Sequence, residues 1–222
     1  MYYTTILFDL DGTITDSAPG IMRSVSYALE KMNFPPAPYE TLRRFIGPPL
    51  MDSFIRLIGM TEEEASQAIN YYRELYNAEA KFDAFVYDGI PELLKKLKEE
   101  GRLVILATSK PQHYAEQILA HFGLDQYFDL IAGPTFGTLK YEKADIIRDI
   151  FNRLEHVSGG NPPDEKNMVM IGDTRFDVEG ARICGLDAIG VTYGFGSREE
   201  LEKEGAIRIV ESASGIYKAV TY

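Results

Sequence analysis

Two aspartates stand two residues apart in ILFDLDGTITDS, residues 6 to 17. Asp9 and Asp11 leave the end of an apolar run together with Gly12 and Thr13. A carboxylate is ionised at neutral pH, with an unperturbed pKa of about 3.9. It can attack phosphorus without a base to activate it and give an aspartyl phosphate. Two such groups repel each other. A hard, oxygen-binding cation such as Mg²⁺ relieves that repulsion and shields a substrate phosphate from the attacking carboxylate. Asp11 could then protonate the leaving oxygen and later activate water. Gly12 lets the backbone turn tightly beside the ligand.

Other polar groups stand at the ends of other apolar runs. RLVILAT (102–108) ends in Thr108, followed by Ser109 and Lys110. MVMIGD (168–173) ends in Gly172 and Asp173, with Asp177 one helical turn on. Lys143 opens the helical pattern KADIIRDIFNRL. Asp173 supplies a third carboxylate for a cation. Thr108 could hydrogen-bond a phosphoryl oxygen, and Lys143 could offset negative charge at a loose transition state. Each group has a plainer reading alone: a D-x-D-G turn, a helix cap at Asp173, a strand-end threonine, a solvated lysine. In TLKYEK, Lys140 rivals Lys143, and spacing does not separate them. A calcium loop fails, because the twelfth position counted from Asp9 is Gly20, where a glutamate is required.

The elements that must carry these groups are legible as apolar runs bounded by turn residues. Five read as strands: TTILFDL (4–10), RLVILAT (102–108), FDLIAG (128–133), MVMIGD (168–173) and AIGVTY (188–193), with IRIV (207–210) as a sixth candidate. Several are apolar on both faces, as strands covered on both sides by helices should be. Helical patterns alternate with them: IPELLKKLKEEG, PQHYAEQILAHFG, KADIIRDIFNRL, DVEGARICG and SREELEKEG. This alternation predicts an α/β fold with a doubly wound parallel sheet. Ligands in such sheets sit beyond the carboxyl ends of the strands, which is where Asp9, Asp11, Thr108 and Asp173 fall.

One region breaks the alternation. The roughly 70 residues after the first strand carry no strand signal and read as helices. Ile21, Val25, Ala28 or Leu29, and Met32 share one face. Ala65, Ala68, Ile69, Tyr72 and Tyr76 share another, behind a capping box of Thr61 and Glu64. The expected organisation is a catalytic core of residues 1–16 and 83–222 with an inserted helical domain at 17–82. SGGNPPDEKN (158–167) reads as a surface loop.

The 222-residue chain carries a formal charge of −11. A chain this acidic is a poor partner for nucleic acid or an anionic membrane. Residues 17–82 are nearly neutral, with seven Lys/Arg against eight Asp/Glu, so an anion docks there more readily than elsewhere. The single cysteine, Cys184, excludes an intramolecular disulfide and reads as a small core residue in a packed helix. No basic region precedes the first apolar run and no stretch approaches a membrane span, which together predict a cytoplasmic protein. His113, His121 and His156 show no ligand spacing, and Gly194-Phe195-Gly196 lacks the third glycine of a dinucleotide fingerprint.

Together these segments resemble the haloacid dehalogenase superfamily in its phosphatase branch. FDLDGT is similar to its first motif, ATSK to its second, Lys143 to its third and GDTRFD to its fourth. DGTITDSAPGI, RRFIGPPL, YDGIPELLKKLK, ATSKP and GVTYGFGSREEL look like the phosphoglycolate phosphatase group. The resemblance implies Asp9 as nucleophile and Mg²⁺ ligand, and Asp11 as general acid/base and a ligand through its backbone carbonyl. It implies Asp173 as the completing metal ligand with Asp177 in support, and Thr108 and Lys143 as holders of the phosphoryl group. It favours Lys143 over Lys140. It also implies that residues 17–82 form a cap closing over the site, with Arg43, Arg44 and Gly47 of the IGPPL turn recognising a small phosphorylated metabolite. A phosphomutase, a 5′-nucleotidase or phosphotyrosine specificity, and a non-enzymatic binding module are the alternatives on the same scaffold. Oligomeric state is not legible.

Overall fold

The structure, a computed structural model, describes residues 3–135, 142–157 and 164–222. Lys140, loop residues 158–163 and the side chain of His156 lie outside the described residues. Along the chain come β1 (Thr5–Phe8), β2 (Thr15–Asp16), α1 (Ala18–Lys31), α2 (Tyr39–Arg43), α3 (Leu50–Ser53, continued by a wider helical turn over Phe54–Ile58), α4 (Glu62–Ala78) and β3 (Phe85–Val86). They are followed by α5 (Ile90–Glu99), β4 (Leu103–Ala107), α6 (Gln112–His121), β5 (Leu130–Ala132), α7 (Lys143–Val157) and β6 (Met168–Gly172). The last are α8 (Arg175–Ile183), β7 (Asp187–Val191), α9 (Arg198–Glu204), β8 (Arg208–Val210) and α10 (Ala213–Thr221).

Two compact units result: Met1–Thr15 with Val86–Tyr222, and Asp16–Phe85. The first holds a six-stranded sheet in the order β5-β4-β1-β6-β7-β8, all neighbours parallel. The strand order reverses at β1, which pairs β4 on one edge and β6 on the other. Successive strand residues point to opposite faces, so the apolar runs serve two cores. Ile6, Phe8, Val104, Leu106 and Ile171 face one, closed by Leu94 of α5, Leu119 of α6 and Ile216 of α10. Leu7, Ile105 and Met170 face the other, closed by Ile147 of α7, Val178 of α8 and Leu201 of α9.

The strands are shorter than the apolar runs, because the polar residues at each run's end leave the ladder. Asp9 still donates its amide to Ile171 O at 2.9 Å, and the chain then turns away. IRIV does form a strand, Arg208–Val210, beside β7. Cys184 differs from its expected place: it caps the C-terminus of α8, half-buried, with its thiol 3.4 Å from Ala144 O. Burial pushes its pKa up, which keeps it a thiol.

The second unit is helical. The buried residues of α1 are Gly20, Ile21, Ser24, Val25, Ala28 and Leu29, and α1 packs along α4. Met32 stands past the last turn, half-buried, rather than on that face. Ala65, Ala68, Ile69, Tyr72 and Tyr76 are all buried in α4, and Thr61 with Glu64 forms the capping box. A Cβ on Gly20 would lie 2.0 Å from Ala80 O, so only glycine permits this approach.

Candidate active site

Lys143 is the centre of a buried charge cluster. Its position at the start of α7 brings Nζ to 2.6 Å from Asp9 Oδ1, 2.7 Å from Asp177 Oδ1 and 2.8 Å from Ala107 O. An ammonium has three donors, and all three are used. Its side chain is 3% exposed and that of Asp177 is 2% exposed. Burial opposes the lysine's charge, but the Asp177 and Asp9 carboxylates outweigh it and hold its pKa above the ordinary lysine value. The close fit has a local cause: a Cβ on Gly180 of α8 would lie 2.6 Å from Lys143 Cβ.

Asp9, Asp173 and Asp177 each place one carboxylate oxygen within 4.8 Å of the others. One ammonium faces three carboxylates. Burial pushes Asp9 up to about 7, with Lys143 pulling it down and the Asp177 and Asp11 carboxylates pushing it further up. Burial likewise holds Asp173 well above the ordinary carboxylate range, reinforced by Asp177 and Asp9. The cluster has an excess of negative charge and only oxygen donors. Among the described residues, Asp173 Oδ1 is buried without a hydrogen-bond partner. Those are the properties of a hard-cation site, and the residues fit Mg²⁺.

Asp11 points elsewhere. Its Oδ2 lies 3.0 Å from Lys110 Nζ, and its Oδ1 is buried without a hydrogen-bond partner among the described residues. Lys110 follows Thr108 and Ser109 in the loop after β4. The amide of Lys110 donates to Thr108 Oγ1 at 3.1 Å, which leaves the buried Thr108 hydroxyl proton free to donate. Ser109 is exposed in the same loop. Gly12, with φ +89°, sits so close to Asp173 that a Cβ would lie 2.1 Å from its Oδ2. Thr13 is buried, with Oγ1 unpartnered among the described residues. Gly172 lies against Asp177, where a Cβ would be 2.2 Å from that residue's Cβ. Asp177 also accepts from the Thr174 amide and hydroxyl at the start of α8, at 3.0 and 2.9 Å.

The core unit thus brings together Asp9, Asp11, Gly12, Thr13, Thr108, Ser109, Lys143, Gly172, Asp173 and Asp177 at or beside the carboxyl ends of β1, β4 and β6. Arg43, Arg44 and Gly47 belong to the helical unit and are exposed there, Gly47 with φ +100°. Sequence reasoning missed three contributors. Lys110 was visible as the last residue of ATSK, but nothing in the spacing paired it with Asp11. Tyr193 donates its hydroxyl to Thr13 O at 2.9 Å, and the Phe195 amide donates to Asp173 Oδ2 at 2.7 Å. The available signal was Gly194-Phe195-Gly196 directly after a strand. Within GVTYGFGSREEL it carries the family resemblance, but that resemblance assigns these contacts to no residue.

The family model described as "Haloacid dehalogenase-like hydrolase" matches residues 6–191. The solved structure of a predicted phosphatase from Clostridium acetobutylicum superposes with a TM-score of 0.89 at 43% identity, covering 99% of each chain. A 5′-nucleotidase from Pseudomonas aeruginosa is 40% identical over 90% of this chain and 87% of its own. Tyrosine-protein kinase PtkA from Mycobacterium tuberculosis is 34% identical over 94% of this chain and 69% of its own. Phosphoglycolate phosphatase 1 from Pseudomonas aeruginosa is 30% identical over 93% of this chain and 76% of its own. Among the described residues no helix is long and apolar enough to cross a membrane.

Proposed function

The chain belongs to the haloacid dehalogenase-like hydrolases and is a phosphatase of that family, and from this premise we propose that it hydrolyses a small phosphomonoester, with Mg²⁺, through an aspartyl phosphate on Asp9. The observation that carries this reading is the buried trio of Asp9, Asp173 and Asp177, of which Asp9 and Asp177 hold the Lys143 ammonium. Mg²⁺ held by Asp9 and Asp173, with Asp177 beside them and the Asp11 carbonyl as the further ligand the family resemblance implies, would offset the charge between carboxylate and substrate phosphate.

The chain's own groups divide the work. Lys143 fixes Asp9 through Oδ1, which leaves Oδ2 to attack phosphorus. With its donors committed to protein acceptors, Lys143 offers the phosphoryl group its charge rather than a hydrogen bond. The Thr108 hydroxyl donates to a phosphoryl oxygen. As the bond from Asp9 to phosphorus forms, the bond from phosphorus to the leaving oxygen breaks, and Asp11 gives that oxygen its proton. Asp11 then takes a proton from water, whose oxygen attacks phosphorus. Phosphate leaves and the Asp9 carboxylate returns. In this reading the helical unit, Asp16–Phe85, is the cap that excludes water from the first step, and Arg43, Arg44 and Gly47 are its substrate-recognising residues.

Phosphoglycolate is the substrate that the segment resemblances point to. A nucleoside 5′-monophosphate is the second reading, favoured by the 40% identity to a 5′-nucleotidase against 30% to a phosphoglycolate phosphatase. Phosphate release across a panel of both classes, ranked by kcat/KM with and without Mg²⁺, decides between them. Substrate loss without phosphate release would instead show transfer to an acceptor other than water. Asp9→Asn should abolish release while leaving the fold intact, and a variant that keeps a substantial Mg²⁺-dependent rate would sink the mechanism.

A further inference from the structure

The turn after β7 makes close approaches to Asp173, Gly12 and Thr13. The Phe195 amide donates to Asp173 Oδ2 at 2.7 Å. A Cβ on Gly194 would lie 2.3 Å from Gly12 O and 2.4 Å from Asp173 Cβ. A Cβ on Gly196 would lie 2.1 Å from Asp173 O. The Tyr193 hydroxyl donates to Thr13 O at 2.9 Å, and its ring packs on Tyr87 with centroids 4.6 Å apart. We infer that Tyr193–Gly196 is a positioning segment that sets the Asp173 carboxylate for cation binding. The inference rests on the metal-dependent reading above.

The physical reason lies in how the two oxygens of Asp173 are treated. Oδ2 is pinned by a backbone N–H, and Oδ1 is buried with no hydrogen-bond partner among the described residues. A carboxylate held by one oxygen keeps the other aimed, so no rotamer freedom is lost when a ligand arrives. Groups of this kind around a metal ligand fix its orientation and tune its affinity. The glycines are required because the backbone of the turn lies in van der Waals contact with Gly12 and Asp173, leaving no room for a side chain. Tyr193 ties the same turn to the chain after β1, so the ends of β1, β6 and β7 are held in one register. The contacts of this segment run to Gly12, Thr13 and Asp173, so its effect is through those residues.

The test is direct titration of Mg²⁺ into the metal-free protein by calorimetry, with no substrate present. Wild-type protein should bind, and Asp173→Asn should not. Gly194→Ala should weaken binding by about 10- to 100-fold, while its far-UV circular dichroism stays that of the wild type. Should Gly194→Ala not fold, Tyr193→Phe carries the test. It keeps ring and backbone and removes only the bond to Thr13, and it too should bind Mg²⁺ more weakly than wild type. Wild-type protein that takes up no Mg²⁺ overturns the metal-dependent reading, and this inference with it. Wild-type binding together with a folded Gly194→Ala, or in its absence a Tyr193→Phe, that binds as tightly overturns the positioning role alone.

Discussion

The ammonium of Lys110 lies 3.0 Å from Asp11 Oδ2, with the lysine side chain 8% exposed. In the proposed mechanism the contact fixes the carboxyl group that hands a proton to the leaving oxygen. Lys110→Met should lower kcat roughly 10- to 100-fold for an alkyl phosphate, the scale of a misplaced catalytic group. The loss should be smaller for p-nitrophenyl phosphate, whose leaving group departs without a proton. Equal losses on the two substrates would show that Lys110 does not act through Asp11.

The buried contacts of Lys143 predict a contribution to stability. It is the counter-charge in direct contact with both buried Asp9 and Asp177. Lys143→Met should cost about 3 kcal/mol or more in urea unfolding of the metal-free protein, because removing one partner strands the others in a low-dielectric site. A change below about 1 kcal/mol, the value of an exposed pair, would contradict the burial described.

The pH dependence of metal-free stability follows from Asp9. Its pKa is pushed up to about 7 by burial, from 3.8 when unperturbed. Between those values the folded protein holds a proton that the unfolded chain has released. Stability therefore falls as pH rises through that window, and Asp173, also raised by burial, adds to the trend. The urea midpoint in EDTA should drop between about pH 4 and about pH 7. The slope should flatten in Asp9→Asn, and saturating Mg²⁺ should restore the midpoint by binding the folded form. A midpoint that rises with pH and is unchanged by Asp9→Asn would refute this account of the cluster.

Gly180 gives opposite predictions from two principles, and magnitude decides. Glycine to alanine within a helix ordinarily gains about 1 kcal/mol. Here the added Cβ would lie 2.6 Å from Lys143 Cβ and 3.0 Å from Ala144 N. Overpacking of this kind costs about 1–3 kcal/mol. Gly180→Ala should thus be neutral to destabilising in thermal unfolding and should lower kcat by displacing Lys143. A stabilised, fully active variant would mean that α7 can move away freely.

The sheet was legible because its strands are apolar on both faces and its helices carry Gly and Pro punctuation. Ile6 and Leu7 face different cores, so no alternation was needed to recognise β1. The clustering of polar groups at strand ends was legible for a related reason: a polar residue closing an apolar run leaves the ladder at the carboxyl edge of the sheet. Lys110, Tyr193 and Phe195 escaped because their roles depend on contacts across the sheet. Lys110 meets a residue 99 positions earlier. Phe195 acts through its backbone amide, which side-chain identity does not report. The donors of Lys143 were beyond reach too, since spacing alone did not separate it from Lys140.

The central claim is that phosphorus passes through Asp9. Asp11→Asn removes the group that activates water but leaves Asp9 to attack, and p-nitrophenyl phosphate needs no proton from Asp11. Acid-quenched mixtures of this variant with p-nitrophenyl phosphate and Mg²⁺ should contain the Asp9 peptide carrying a phosphoryl group, read by mass spectrometry. Nitrophenolate release with that peptide unmodified, or with the phosphoryl group on another residue, would contradict the mechanism.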